Sequence, residues 1–366
     1  MYLMKLIYLF PNSYVAGSAN RIQTLNFAYS LLSISEDNNV LFVSGDNYTD
    51  NNLRRLGIEK KDINHVEINY KFKKMLTIQF MIKVFLDKLI TSDCIIYVRD
   101  YSLLKYIYYL KRFNILKNEI IFELHEVPQD KSIISRLKIV DRFVVISNAI
   151  KMDINRKINI NEKDIVVAHD GFSNIKTCPN KSENVNDLLK IIDDDTIVYI
   201  GTYQKWKNIE LIIEIATLLQ DIKFILIGVE RAKINWQYEI PKNVYFINYI
   251  DHSDVHTVLE ATKFAIYSLN PNHSISKYTS PLKIFEYLSH GITIFSPSFI
   301  SINEVLVDRF NAYLFDIKDI NSTADMIKNV VEKKLYLNLE DLKNSVQNYS
   351  WENRAKKVLN FVEDKN

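Results

Sequence analysis

Ser280-Pro281-Leu282-Lys283-Ile284-Phe285-Glu286 runs on to Gly291 and then into the apolar Ile292-Thr293-Ile294-Phe295. The first part reads as a helix start. Ser280 can cap it, and Pro281 suits the first helical position because its missing N–H would have had no partner there. Gly291 stops the helix, and the β-branched run behind it is a strand. The same helix start carries chemistry. The free N–H groups of its first turn attract anions, Lys283 adds a full positive charge, and Glu286 lies one turn further on, roughly 4.5 Å along the axis. A phosphate in front of a carboxylate that holds a sugar hydroxyl pair fits this spacing; an N-capped helix with a Lys–Glu surface pair fits it too.

Short β-rich runs alternate with amphipathic stretches on both sides of this segment, the signature of parallel sheets with helices on both faces. Upstream, candidate strands are Leu6 to Phe10, Val40 to Val43, Ile95 to Val98, Ile120 to Leu124, Phe143 to Ile146 and Ile165 to Ala168. From about Phe172 to Asp195 the pattern dissolves into Ser, Asn, Lys, Pro and Asp and reads as a linker. A second series follows: Ile197 to Ile200, Phe224 to Ile227, Val244 to Ile247, Phe264 to Tyr267 and Ile292 to Phe295. The expected architecture is therefore two doubly wound α/β domains, residues 1–175 and 190–348, with a closing helix over 349–366 that crosses back to the first. Ligands of such sheets sit at the carboxyl ends of strands, so a cleft between two facing domains is the expected site.

Composition narrows the function. The chain has 366 residues, 48% hydrophobic, with a formal net charge of +2, too mild for a nucleic-acid partner. Cys94 and Cys178 lie far apart without metal-ligand spacing, which suits a reducing compartment. Asp193-Asp194-Asp195 contains spaced acids of the kind that hold a metal on a nucleotide diphosphate, but falls in a polar stretch before a strand, so no metal and no cofactor is expected. No apolar run approaches the ~18 residues of a membrane span, and the expectation is a cytoplasmic protein. Pro11 to Arg21, with Gly17, lacks the three-glycine dinucleotide fingerprint, which disfavours a dehydrogenase.

Further candidate residues stand at strand ends. Lys207, in Gly201-Thr202-Tyr203-Gln204-Lys205-Trp206-Lys207, lies near a helix N-terminus, where a cation is disfavoured unless an anion is present. His125 ends a strand in Phe122-Glu123-Leu124-His125-Glu126, and Glu126 is placed to orient the imidazole or raise its pKa. Arg99 and Asp100 form either an acceptor contact or a local ion pair. His169-Asp170-Gly171 reads as a structural turn. Over Lys71 to Ile90, apolar residues repeat at Met75, Ile78, Ile82, Phe85 and Leu89, with Leu76, Phe80, Met81 and Val84 outside that stripe and lysines flanking it. Such a helix can lie peripherally on an anionic bilayer, hold a lipid-linked acceptor, or be an ordinary domain helix with a solvated lysine face.

Jointly these residues resemble the retaining nucleotide-sugar glycosyltransferases of the GT-B fold, family 4, also called group 1. The resemblance spans nearly the whole chain. It rests on the loop around Gly17, His125-Glu126, Val145-Ile146-Ser147, His169-Asp170-Gly171, Gly201 with Trp206-Lys207, Ser280 to Gly291, Glu304, and Ser350-Trp351-Glu352. It implies two Rossmann-like domains, the second holding a UDP- or GDP-sugar and the first a saccharide or lipid-linked acceptor of surface-glycan synthesis such as lipopolysaccharide or capsule. His125, Lys207 and Glu286 would be catalytic. Donor contacts would come from Gly17, Lys205, Tyr249, Ile250, Ser280, Leu282, Lys283 and Glu304, and acceptor contacts from Arg99 and Glu126. The family's frequent acid eight positions before Glu286 is here Tyr278, and its usual Arg after the glycine of the Gly201 loop is Thr202, with Lys205 as the substitute. Those departures leave open an inactive sugar-nucleotide-binding subunit, and the fold itself leaves open a different enzyme class such as a nucleotide-sugar epimerase. No Ser-His-Asp order or glycosidase carboxylate pair can be assigned, which makes a hydrolase a distant reading.

Overall fold

The computed structural model describes residues 5–14, 19–35, 39–55, 58, 63–71, 75–173, 183–234, 236–237 and 239–364. The chain divides into two compact units, Met1–Asp170 with Trp351–Asn366, and Gly171–Ser350.

Unit 1 alternates strands and helices: β1 (Lys5–Phe10), α1 (Ala19–Ile34), β2 (Val40–Gly45), α2 (Asp50–Arg55), β3 (His65–Ile68), α3 (Leu76–Leu86) and β4 (Cys94–Val98). Then come α4 (Tyr101–Arg112), β5 (Ile120–Leu124), α5 (Lys131–Leu137), β6 (Arg142–Val145), α6 (Asn148–Ile158) and β7 (Ile165–Val167). The seven strands form one sheet in the order β3-β2-β1-β4-β5-β6-β7, every pairing parallel. Central strands β2, β4, β5 and β6 are buried along their whole length, because helices cover both faces of a parallel sheet.

Unit 2 runs α7 (Glu183–Ile191), β8 (Ile197–Ile200), α8 (Ile209–Leu218), β9 (Phe224–Ile227), β10 (Val244–Ile247), α9 (His252–Ala261) and β11 (Phe264–Ile266). It continues through α10 (Ser274–Tyr278), α11 (Leu282–Ser289), β12 (Thr293–Pro297), β13 (Tyr313–Phe315), α12 (Ile320–Glu332) and α13 (Leu339–Val346). Its sheet is also parallel, in the order β10-β9-β8-β11-β12-β13. Alternate side chains of each strand feed opposite layers. Val198, Ile200, Ile225, Ile227 and Ala265 belong to one buried cluster, and Ile197, Tyr199, Phe224, Leu226 and Phe264 to the other.

Three sequence expectations change here. The linker read over Phe172 to Asp195 contains α7, whose Val185 and Leu188 are buried in the unit 2 core; the surrounding Asn, Asp and Lys mask a short amphipathic helix. Two edge strands went unread: β3, where His65 and Glu67 interrupt the apolar residues and three of four residues are half-buried, and β13, which is apolar but only three residues long, two of them half-buried. In α3 the buried residues are Phe80, Met81 and Val84, those outside the expected stripe, while Met75 and Ile82 are 49% and 53% exposed.

The last helix, α14 (Trp351–Glu363), belongs to unit 1. Arg142, only 2% exposed, lies at the start of β6 and donates to the carbonyls of Phe361 and Val362 while pairing with Glu119. A buried guanidinium thus satisfies the orphan carbonyls at the end of α14. Arg142→Ala should destabilise unit 1 by about 3 kcal/mol, since it strips both Glu119 and those carbonyls of their partner. The check is a lower urea midpoint for unit 1 with the slope of the transition unchanged.

Candidate active site

In a doubly wound sheet the crevice opens where strand order reverses, outside the carboxyl ends of the strands. In unit 2 that place is between β8 and β11. Beyond β8, Gly201 leads into a 3-10 turn over Lys205–Lys207, then Asn208 in the left-handed region at φ 49°, then α8. The loop after β11 holds this turn: the Ser268 hydroxyl donates to the carbonyls of Lys207 and Asn208, and the Asn270 N–H donates to the Trp206 carbonyl at 2.7 Å.

Lys207 is folded over its own loop. Its Nζ donates to the Thr202 carbonyl at 3.0 Å and lies 5.3 Å from the centre of the Trp206 ring. A Cβ on Gly201 would stand 3.0 Å from that Nζ and 2.9 Å from the Tyr199 hydroxyl, so glycine leaves room for the ammonium. Burial, and then repulsion from Lys283, pushes Lys207 down to about 8. Two cations on separate elements therefore repel each other, and an anion near both lowers that cost.

Lys283 comes from the first turn of α11, which starts one residue later than the sequence reading. Pro281 is the N-cap, has no side-chain acceptor, and leaves Ser280 buried ahead of the helix, so Ser280 does not cap it. Leu282 and Lys283 are the half-buried opening residues. Glu286, 7% exposed, accepts from Lys283 Nζ at 2.6 Å and from His252 Nε2 at 3.1 Å. Burial alone would raise this carboxyl, but Lys283 and His252 outweigh it and hold the group ionised, well below the usual carboxylate range. Each oxygen keeps a lone pair for a further donor. Tyr287, next along α11, places its hydroxyl 3.1 Å from the N–H of Ile200, which it accepts, tying the helix with Lys283 and Glu286 to the strand that leads into the Lys207 loop.

Sequence reasoning missed the histidines behind Glu286. His290 Nδ1 lies 2.8 Å from the Glu286 carbonyl, and its Nε2 lies 3.3 Å from His256 Nδ1. Burial lowers His256 to about 4, which keeps that ring neutral. The legible signal is two i,i+4 pairs, His252 with His256 and Glu286 with His290, on helices joined through a single carboxylate.

The remaining predicted donor residues are less central. Lys205 is exposed, Tyr249 is 55% exposed, and Ile250 packs partly against the unit 2 core just before α9. Glu304 is half-buried in the turn after β12, where its carbonyl faces the Tyr349 hydroxyl at 3.5 Å. Tyr278 is 6% exposed. Gly17 lies outside the described residues. Asp193 is bound to Lys223 Nζ at 2.7 Å.

In unit 1, His125 follows β5. Its Nε2 lies 2.6 Å from Glu123 Oε1, and its side chain is 27% exposed. The expected partner, Glu126, is exposed, and its backbone carbonyl accepts from the Tyr101 hydroxyl. The orienting acid is Glu123, two residues back on the same face of the strand. Glu123 is buried, which by itself would raise it, yet Arg354 at 3.2 Å, Arg99 at 3.7 Å and His125 hold it well below the usual range. An ionised carboxylate only accepts, so the network assigns the hydrogen to Nε2 and leaves Nδ1 as an acceptor. Burial and Arg99 together lower His125, against the pull of Glu123, so the ring is neutral at pH 7 rather than raised as the Glu126 reading implied.

Arg99 does not reach outward to an acceptor. Its side chain is 7% exposed and donates to Thr24 and Gln23, at 3.0 and 2.9 Å, besides pairing with Glu123. Gln23 in turn donates to buried Asp170. Asp100 caps α4 through the Ser102 N–H and accepts from Asn12 at 3.0 Å.

A family model described as glycosyl transferases group 1 matches residues 180–364, spanning unit 2 and α14. The chain belongs to this family. This glycosyltransferase is similar along 99% of its length to the lipopolysaccharide outer core galactosyltransferase WaaB, covering 100% of that chain at 14% identity and a TM-score of 0.69. It is similar to Anabaena HepE in complex with UDP, at 13% identity and a TM-score of 0.66, over 99% of this chain and 100% of the other. For a sucrose-phosphate synthase from Thermosynechococcus elongatus the values are 13% and 0.71, over 99% of both chains. At such identities the likeness carries the fold, GT-B, with its two Rossmann-like units. No curated protein sequence matches the chain.

If Lys283 is what depresses Lys207 beyond the effect of burial, Lys283→Met should move Lys207 upward from about 8 toward the ordinary lysine range. Titration of 13C-labelled lysine side chains by NMR reads this directly, and an unchanged midpoint would mean that the two ammonium groups do not share a site.

Proposed function

We propose that this glycosyltransferase is a retaining enzyme that moves a sugar from a nucleotide diphosphate to a saccharide or lipid-linked acceptor in surface-glycan synthesis. The observation that carries the proposal is the pair of loops at the switch point of unit 2, one folding Lys207 over Gly201 and the other opening α11 with Lys283 bound to the buried, ionised Glu286. The lysines and the first-turn N–H groups of α11 meet the diphosphate, Glu286 accepts from the ribose hydroxyls, and Tyr249-Ile250 lies beside the base. HepE, which is similar in fold, has been captured with UDP, which supports a uridine donor.

In this reading negative charge grows on the phosphate as the glycosidic bond breaks, and a cation already in place stabilises that charge without reorganising. A leaving phosphate oxygen takes the proton of the acceptor hydroxyl on the face it departs from, which retains the anomeric configuration with no covalent intermediate. The two lysines supply the counter-charge that a metal supplies elsewhere. In unit 1, the Nδ1 lone pair of His125, held in that tautomer by Glu123, can accept a hydrogen bond from a sugar hydroxyl.

Lys207→Ala should leave the melting temperature unchanged and lower kcat/KM by about 10²-fold or more, with NMR of the product anomer reporting retention in the wild type. A folded variant with full activity would remove Lys207 from the chemistry. Turnover without any acceptor would indicate an epimerase, and nucleotide binding without transfer or donor hydrolysis an inactive subunit.

The protonated form of Lys207 binds the anion, and its fraction falls as pH rises through about 8. Affinity for UDP or GDP should therefore weaken between pH 7 and 9, and binding near pH 8.5 should take up a proton. Calorimetry in two buffers of different ionisation enthalpy measures that uptake.

A further inference from the structure

The outer side of α3 and α4 in unit 1 is unlike the rest of that unit's surface. Because α3 buries Phe80, Met81 and Val84, its other apolar side chains have no core to enter. Ile82 and Leu86 are 53% and 71% exposed, and across from them on α4 Tyr109 is 46% exposed. Between the two helices is a groove of about 430 Å³ lined by Ile82, Phe85 and Leu86 from α3 and by Tyr106, Tyr109 and Leu110 from α4. The apolar surface continues past the groove. Phe113, four residues beyond Tyr109 and so on the same helix face, is 68% exposed, and Ile115, whose N–H bonds the Leu110 carbonyl, is 65% exposed.

The charges around it have one dominant sign. Lys83, Lys88, Lys105, Arg112 and Lys117 are all exposed on these helices and their flanking loops. The acids among them are Asp87, which pairs with Lys83 at 3.6 Å, and Asp93. A contiguous exposed apolar patch marks an interaction site, and the basic fringe selects its occupant. A second copy docked on the same face would set two lysine-rich rims against each other, and protein interfaces are depleted of lysine. An anionic lipid surface satisfies both parts at once, apolar side chains entering below the headgroups and cations meeting the phosphates. Tyrosines at the boundary suit that layer, with a ring on the apolar side and a hydroxyl on the wet side.

We propose that the α3–α4 groove of unit 1 is a membrane-docking surface, in which Ile82, Leu86, Tyr109 and Phe113 enter the headgroup boundary of an anionic bilayer while Lys88, Lys105 and Arg112 contact lipid phosphates. No residue of the donor site takes part, so the surface stands or falls separately from the transfer reaction. No helix among the described residues is long and apolar enough to cross a membrane, so contact of this kind would be peripheral.

The test is cosedimentation of the full chain with sucrose-loaded vesicles of phosphatidylcholine alone, or of phosphatidylcholine mixed with phosphatidylglycerol. Binding to the mixed vesicles should exceed binding to the neutral ones by about tenfold and fall as salt rises. A Leu86→Asp, Phe113→Asp variant should lose about tenfold in binding. Both side chains are more than two-thirds exposed, so its melting temperature and its thermal shift with UDP or GDP should match the wild type. A Lys88→Glu, Arg112→Glu variant should lose the preference for anionic lipid. As an independent readout, an environment-sensitive fluorophore on Leu86→Cys should shift to the blue when mixed vesicles are added. Equal binding by wild type and the Asp variant, or none by the wild type, overturns the proposal. Self-association in sedimentation velocity that Leu86→Asp abolishes would reassign the face to a second copy.

Discussion

Each unit buries a carboxylate at or near the carboxyl edge of its sheet, and a buried ionised carboxylate is tolerable only when cations and hydrogen bonds surround it. That requirement organises both halves of the molecule. Glu123 is met by Arg99, Arg354 and His125, and Glu286 by Lys283 and His252. In unit 1 the compensation leaves a neutral imidazole at the surface of the network with a lone pair to offer. In unit 2 it leaves an excess of positive charge, because Lys207 adds to Lys283 without a carboxylate of its own.

The parallel topology explains why these groups are where they are. Parallel strands send all their outgoing loops to one edge, and the reversal of strand order separates the loops there. The Lys207 turn follows β8 and its anchors Ser268 and Asn270 follow β11, the two strands at the reversal. Tyr287 closes the arrangement by accepting the N–H of Ile200, so α11 and the lysine loop are held by a shared buried hydrogen bond rather than by side-chain packing alone.

Much of this was legible in the sequence. The strands β5, β8 and β9 begin and end where their apolar runs do, since a fully buried parallel strand has no polar alternation to blur it. The edge strand β3 and the helix α7 were hidden for the converse reason, carrying His, Glu, Asn and Asp among few apolar residues, and β13 because its apolar run is only three residues long. At the site, Lys207, Lys283, Glu286 and His125 were visible as individual residues with unusual positions, but their partners were not. Local sequence favoured Glu126 for His125, whereas strand periodicity, which puts side chains two apart on one face, points to Glu123. Arg354 and His252 come from helices remote in sequence, and no local pattern connects them to the acids they neutralise.

The contribution of α14 gives unit 1 a discontinuous construction. Arg354, which is 3% exposed, lies 4.2 Å from the centre of the Phe27 ring and pairs with Glu123, yet 180 residues of unit 2, Gly171–Ser350, separate it from the rest of its unit. On the ribosome, then, the seven strands of the first sheet emerge long before the guanidinium that balances their central acid. Until the whole intervening Rossmann unit has been synthesised, Glu123 must remain solvated or protonated, or rely on Arg99 and His125 without the second arginine. The nascent first unit is thereby kept short of its final form until translation has passed Ser350.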